Sequence, residues 1–273
     1  MSKDPFSLRG RVAVVTGALG LLGREHAEAL AAAGASLALA DLDAERLEEM
    51  ANDVSGRHGV VAIGAALDVT SPPGLAAFGE QIDLVFGRLD VLVNNAAVND
   101  RFEQPKLEPE LSRFENYPLN EWRRMLEVNV TGVFLASQIL GALMLRKHSG
   151  SIINVASTYG VVAPDQSLYR SADGAQRFCK SPAYPTTKGA VLAFTRFLAA
   201  YWGEAGVRVN ALSPGGVENA QDGFFIESYS RRTPLGRMAA PSDYRGAIVF
   251  LASDASSYMT GANLIVDGGF TVW

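Results

Sequence analysis

From Arg11 onward the chain alternates short apolar, often β-branched runs with longer stretches rich in Ala, Leu and Glu. VAVV is followed by a helix-like stretch from Gly20 to Ala33, then by SLALA, then by a charged helical stretch from Asp43 to Arg57. Such alternation is the signature of βαβ units in a parallel sheet. Further strands are expected at 60-VVAIGAAL-67, 89-LDVLV-93, 151-SIINVA-156, 207-VRVNAL-212 and 262-ANLIV-266, with helices at 74–86, 119–147, 184–204 and 241–253. The pattern predicts an α/β fold: a doubly wound parallel sheet of about seven strands with helices on both faces.

Two segments carry neither period, 98-VNDRFEQPKLEPELSRFENYP-118 and 161-VVAPDQSLYRSADGAQRFCKSP-182. Loops this long inside a compact domain are uncommon and tend to be functional or disordered. No internal repeat or low-complexity linker divides the chain, so residues 1–273 are expected to form one domain.

Composition narrows the function classes. With 48% apolar residues the chain can bury a large core, and its formal charge of −5 comes without any long basic block. That argues against a sequence-independent grip on nucleic acid or on an anionic membrane surface, and leaves small molecules and proteins as partners. Cys179 is the only cysteine, which rules out an internal disulfide, and His26, His58 and His148 show no metal-ligand spacing; no metal is expected. MSKDPFSLRG has no apolar signal-peptide core, and the uncharged run 29-ALAAAGASLALA-40 is too short to span a bilayer. A cytoplasmic protein outside the membrane is the expectation.

VAVVTGALGLLGREHAEAL places Thr16, Gly17, Gly20 and Gly23 at the junction of the first strand and first helix, with Leu19, Leu21 and Leu22 in the same turn. Glycines there let the backbone pass close to a pyrophosphate, whose charge is favoured by the amides and positive end of the following helix. A tight turn without ligand is the bland alternative. One strand later, Asp41 ends 37-LALAD-41 and precedes Leu42. A carboxylate there can accept both hydroxyls of an adenosine ribose and repel a 2′-phosphate, so NAD is expected ahead of NADP. The bland alternative for Asp41, a polar strand end or the N-cap of the next helix, is weakened by the glycines that precede it. No Lys or Arg lies between Gly17 and Gly23, although Arg24 follows and keeps NADP as the second choice.

With TGALGLLG, 94-NNAA-97, Ser157 and 184-YPTTK-188 in place, the chain resembles the short-chain dehydrogenase/reductase family over almost its whole length. The resemblance implies a single Rossmann-type domain, a nicotinamide cofactor, an Asn-Ser-Tyr-Lys active site and assembly into homodimers or homotetramers. The four positions match Asn129 in 128-VNVTGVF-134, Ser157 in 154-NVASTYG-160, Tyr184 and Lys188. It further implies adenine contacts from Asp68 and Val69, and a wall beside the adenosine ribose from Asn94, Asn95, Ala96 and Ala97. Pro214, Gly215 and Val217 of 213-SPGGVEN-219 would close over the nicotinamide, with Gly216 beside the substrate, and 216–237 would act as a lid. The stretch 259-MTGANLIVDGGF-270 looks like the family's C-terminal strand and turn.

The chain also departs from the family pattern. Leu21 stands where this branch usually has glycine, Gly20 instead giving TGxxGxxG; Ala97 replaces a common glycine and Asn219 a common threonine. These departures imply adjusted cofactor contacts. A looser resemblance is to family members associated with modification of bacterial flagellin and surface sugars.

Residues four apart share a helix face, so Tyr184 and Lys188 are neighbours one turn apart. A free phenol has pKa near 10, and bringing it toward neutrality requires stabilising the phenolate by about 4 kcal/mol. The Lys188 ammonium and an oxidised nicotinamide are sources of that stabilisation. Tyr184 would then pass a proton to or from the substrate oxygen, which Ser157 would hydrogen-bond. Lys188 would also hold the nicotinamide ribose, and Asn129 would order the helix and a proton-relaying water. Read singly, Tyr-x-x-x-Lys is usually a surface pair, Asn129 a buried amide and Ser157 a strand-end cap; their order and spacing argue for catalysis. Tyr169 has Asp173 four residues on and is read as a loop or pocket tyrosine. Tyr159 is read as lining the substrate pocket or as core.

Ser157 and Tyr184 are 27 residues apart, about twice the separation in most family members. The added segment carries Asp165, Arg170, Asp173, Arg177 and Lys180; the other long loop carries Asp100, Arg101, Lys106 and Arg113; the lid carries Arg231 and Arg232. Basic groups on three loops suit a polar, possibly acidic substrate such as a sugar acid or nucleotide-linked sugar, unless they are solvated charges or subunit contacts. The leading reading is hydride transfer between NAD(H) and the secondary alcohol or ketone of a sugar-like or sugar-acid substrate. The alternatives are a 3-ketoacyl or hydroxysteroid-type ketone reductase, and a non-catalytic nucleotide-binding or scaffold protein.

Overall fold

The computed structural model describes residues 4–99 and 109–273. Its strands are β1 (Val12–Thr16), β2 (Ser36–Asp41), β3 (Ala62–Ala66), β4 (Val91–Asn94), β5 (Gly150–Val155), β6 (Val207–Pro214) and β7 (Asn263–Val266). They form one sheet in the order β3-β2-β1-β4-β5-β6-β7, and every pairing is parallel. The strand order reverses between β1 and β4, which opens a crevice at their carboxyl ends.

The helices are α1 (Leu21–Ala32), α2 (Ala44–His58), α3 (Pro72–Phe86), α4 (Leu119–Leu126), α5 (Gly132–Leu145), α6 (Ala183–Trp202), α7 (Gly223–Arg232) and α8 (Arg245–Ala252). Successive residues of a strand point to opposite faces, and β1 shows it directly. Ala13 and Val15 pack with Leu30 of α1, Leu47 of α2 and Leu251 of α8, whereas Val12 and Val14 pack with Ile82 of α3, Leu140 of α5 and Leu198 of α6. Both faces are covered, so all five residues of β1 are buried and the strand reads as an apolar run without alternation.

The expected elements are present with shifted ends. Ser71 caps α3 by accepting the Gly74 amide, and Pro72 fits its first turn, so the helix begins earlier than expected. The stretch 241–253 splits into a 3-10 turn, Pro241–Tyr244, followed by α8. Between α4 and α5 the backbone widens into a π turn, Glu127–Thr131. The whole Leu119–Leu145 helix is long and apolar enough to cross a bilayer by length and composition, and it contains an uncharged run, 128–145, longer than 29–40. Here it is a core helix: Ala136, Leu140 and Met144 pack under the sheet.

Helix α7 lies in the segment anticipated only as a lid. The aperiodic 161–182 segment contains a 3-10 turn, Gln166–Tyr169, and an isolated antiparallel bridge between Arg170 and Gln176. Of the charges expected around the site, Asp100, Arg101 and Lys106 lie outside the described residues.

Candidate active site

A cleft of about 910 Å³ opens at the carboxyl ends of β1 and β4. Gly17 leaves β1 at φ +63°, and a Cβ there would sit 2.7 Å from the Ala96 Cα, so the turn closes against the end of β4 only with glycine at that place. The contact is stitched by Thr16, whose Oγ1 accepts the Asn95 and Ala96 amides, each at 3.1 Å. Asn95 donates from Nδ2 to the carbonyls of Thr16 and Gly17 at 3.0 and 2.9 Å. Gly20 then opens α1, whose N-terminal end faces the cleft with Leu21 and Leu22 in its lining. Gly23 stands behind the turn, against the Gly17 carbonyl.

Across this turn, Asp41 accepts the Leu19 amide on one carboxylate oxygen at 2.9 Å and the Leu42 amide on the other at 2.8 Å. Arg46 and Asp43, which the sequence reading did not single out, line the same end. Asp43 caps α2 by accepting the Arg46 amide. Asp68 accepts both the amide and the hydroxyl of Thr70, at 2.9 and 2.7 Å, and lines the cleft with Val69, Ala96 and Ala97.

Ser157, Tyr184 and Lys188 converge at the other end. Ser157 follows β5 and accepts the Tyr159 amide on Oγ at 3.1 Å. Tyr184 is the second residue of α6, with Pro182 and Pro185 accommodated at the helix start where amides are unpaired. Backbone meets backbone between α6 and the turn after Ser157, because a Cβ on Gly160 would lie 2.8 Å from the Lys188 carbonyl carbon. Lys188 is 4% exposed and donates to the Val155 carbonyl at 2.7 Å. Burial pushes its ammonium down to about 8. Its Nζ lies 5.7 Å from the Tyr184 ring centroid, and the Nζ of Lys180 lies 5.1 Å from it.

Asn129 does not line the cleft. It sits in the π turn, 1% exposed, where its Oδ1 accepts the Val98 amide at 2.8 Å and its Nδ2 donates to the Val98 carbonyl at 2.9 Å and to Thr187 Oγ1 at 3.2 Å. Thr187 in turn donates to the Tyr184 carbonyl at 2.8 Å. The carboxamide therefore ties the loop after β4 to the first turn of α6. A π turn inside a long helix commonly marks a functional position.

Tyr159 faces the cleft and shares a hydroxyl–hydroxyl contact of 3.0 Å with Tyr169, so both line the pocket. Gly216 donates its amide to the Tyr229 hydroxyl at 2.6 Å and lines the cleft with Pro214, Gly215 and Val217. Tyr229 stacks on Phe270 at 4.5 Å, and Phe225 joins Tyr169 to α7 with a centroid distance of 5.7 Å. Phe225 and Tyr229 went unread in the sequence although they are four apart on α7, just after the Asp222 cap.

Among the described residues the expected ring of basic groups does not form. Arg177 pairs with Asp222 at 3.0 Å, Arg232 pairs with Asp165, Arg231 with Glu227, and Arg113 with Glu110. Arg170 donates to Gln176, and Asp173 accepts Ser171 and the Ala175 amide. Of the loop and lid cations considered, Lys180 lines the cleft among the described residues. These pairs are partly solvated; two of them, Arg231 with Glu227 and Arg113 with Glu110, join residues four and three apart, and the other two join separate segments.

A family model described as enoyl-(acyl carrier protein) reductase matches residues 17–271. D-threitol dehydrogenase of Mycolicibacterium smegmatis is 37% identical over 272 residues, covering 98% of this chain and 95% of the relative. Galactitol 2-dehydrogenase (L-tagatose-forming) of Cereibacter sphaeroides is 36% identical over 274 residues, covering 98% of each. Among solved structures, a gluconate 5-dehydrogenase from Burkholderia cenocepacia J2315 in complex with NADP and tartrate superposes with a TM-score of 0.86 at 30% identity, covering 99% of this chain and 98% of that one.

Proposed function

The chain belongs to the short-chain dehydrogenase/reductase family, and from that premise we propose that it oxidises a secondary alcohol, or reduces the matching ketone, on a sugar-like substrate using NAD(H). The observation that carries this reading is the placement of Tyr184 in one cleft with Ser157 and Lys188, opposite the turn that Gly17 closes against Ala96. Two relatives named for polyol oxidation, D-threitol and galactitol dehydrogenases, support the substrate class.

The cleft suits a dinucleotide. The turn through Gly17 and Gly20 has room for a pyrophosphate against the amides that open α1, and Asp41 faces it with two carboxylate oxygens able to take ribose hydroxyls. Leu42, Asp68 and Val69 would hold the adenine side, and Asn95, Ala96 and Ala97 the middle. Pro214, Gly215 and Val217 would lie over the nicotinamide, which when bound supplies the hydride acceptor or donor. Asp41 supports NAD ahead of NADP, although the solved relative carries NADP and Arg46 lies nearby.

Tyr184 exchanges the proton with the substrate oxygen, and Ser157 Oγ hydrogen-bonds that same oxygen as charge develops on it. Lys188, with its pKa near 8, is still an ammonium at neutral pH and stabilises the phenolate beside it. Asn129 acts through Val98 and Thr187 by fixing the first turn of α6. Tyr159 and Gly216 border the substrate.

The same reading takes residues 1–273 as one domain with substrate loops at 98–118 and 161–182 and a lid at 216–237, working in the cytoplasm. Exposed rings on α5 and α6 support a homodimer or homotetramer: Phe134, Phe197 and Tyr201 face outward, and Phe197 stacks on Tyr201 at 5.8 Å.

Tyr184→Phe tests the assignment. Turnover of four- to six-carbon alditols with NAD⁺ should fall by about 10³-fold, while NADH binding measured by fluorescence is retained. Near wild-type turnover in that variant would remove Tyr184 from the mechanism.

A further inference from the structure

We propose that Tyr229 of α7 is a substrate-binding residue: its oxygen accepts the Gly216 amide, and its phenol O–H donates to a second oxygen of the substrate, apart from the reacting carbinol. The inference rests on the oxidoreductase reading above and deepens it, because it adds a group that selects for a polyhydroxylated chain.

Tyr229 is 3% exposed and lines the same cleft as Ser157 and Tyr184. Its ring is held by other rings. Phe270 stacks on it with centroids 4.5 Å apart and planes 9° apart, and Phe225, one turn earlier on α7, lies 6.0 Å away. Asp267 secures the turn that carries Phe270 by accepting the Gly269 and Thr271 amides at 2.8 and 2.9 Å. At the phenol end, a Cβ on Gly216 would sit 2.5 Å from the Tyr229 Cζ, closer than a side chain tolerates. Glycine there lets the amide reach the hydroxyl, at 2.6 Å.

Two neighbouring tyrosines use their hydroxyls in opposite ways on this segment. Tyr244 donates its proton to the Gly215 carbonyl at 3.3 Å. Tyr229 accepts from the Gly216 amide instead, and its own proton has no acceptor among the described residues. A buried hydroxyl ordinarily finds one, because an unbonded proton forfeits the hydrogen bond it had in water. The space beside Tyr229 is the cleft, so a ligand oxygen supplies the acceptor. Burial pushes the phenol pKa up, which keeps the group protonated, as a donor must be. With an N–H already on its oxygen, the hydroxyl selects a hydroxyl or carbonyl oxygen over a donor-only group such as an ammonium. A polyol carries such an oxygen on each carbon. The nicotinamide carboxamide carries one as well, and the experiment separates these two sources.

The experiment measures kcat/KM with NAD⁺ and with NADP⁺ for four- to six-carbon alditols and for monodeoxy analogues that keep the reacting carbinol. In wild type, at least one deoxygenation should lower kcat/KM by about tenfold. Tyr229→Phe keeps the ring on Phe270 and should bring that parent-to-deoxy ratio down to about one, with NADH affinity retained in a fluorescence titration. A purely structural role would lower parent and analogue together and leave the ratio unchanged, which overturns the proposal. Weaker NADH binding with an unchanged ratio would give the proton to the carboxamide and overturns it as well. So does a wild type indifferent to every deoxygenation, a comparison that stands even if Tyr229→Phe fails to fold. In each of these cases alditols are still oxidised and only the role of Tyr229 falls. If no alditol is oxidised with either cofactor, the proposed function falls and this inference with it.

Discussion

Arg177, in the segment between Ser157 and Tyr184, pairs at 3.0 Å with Asp222, the residue whose side chain caps α7. The same segment meets the other end of α7 through Asp165 and Arg232. The insertion thus grips the helix over the pocket at both ends, with the rings of Tyr169, Phe225 and Tyr229 packed between.

Each of these pairs is partly solvated and contributes under about 1 kcal/mol by itself. Removing both with Arg177→Ala and Asp165→Ala should leave the melting temperature nearly unchanged. It should raise KM for the sugar substrate by about three- to tenfold, and hydrogen exchange should accelerate selectively in 223–232. Unchanged exchange there would separate the insertion from the helix.

Asp41 sets the cofactor through a carboxylate spread across the glycine turn. Asp41→Ala removes the acceptor for ribose hydroxyls and the charge that opposes a 2′-phosphate. NADH affinity should fall by about tenfold and the NADPH-to-NADH preference should rise by about 10- to 100-fold, read by fluorescence titration. Tighter binding of NADPH than NADH by wild type would contradict the role given to Asp41.

His26 is fully buried on α1, neither ring nitrogen has a hydrogen-bond partner among the described residues, and burial pushes its pKa down to about 4. The unfolded chain takes up a proton near pH 6.5, whereas the native state resists until about pH 4. Stability from this group is complete above pH 6.5 and is lost as pH falls toward 4, by about 3 kcal/mol. His26→Leu should flatten the denaturation midpoint across that window; an unchanged slope would assign acid sensitivity to other groups.

Much of the fold could be read from the chain because a sheet covered on both faces writes itself as apolar runs separated by helical spacings. The glycine turn and the Tyr184–Lys188 pair are local, so their geometry follows from neighbours in sequence. The π turn around Asn129 left no trace in the spacing, and the partners of its carboxamide, Val98 and Thr187, come from other parts of the chain. Two of the loop charges could not be placed from sequence because their partners are distant: Arg177 reaches across 45 residues and Arg232 across 67. Lys180 looked no different from them, since its burial and its backbone contacts with Gln166 arise only in the folded chain. Helix α7 was legible in principle from Asp222 followed by Phe225 and Tyr229, but it was absorbed into a lid.

The double grip on α7 bears on how substrate range can be altered. Grafting 161–182 alone into a relative would bring Arg177 and Asp165 without the residues they hold, and would leave the host's helix facing an unmatched surface. Functional exchange requires the insertion and 220–237 to travel together, as one cassette assembled from two separate stretches of the gene.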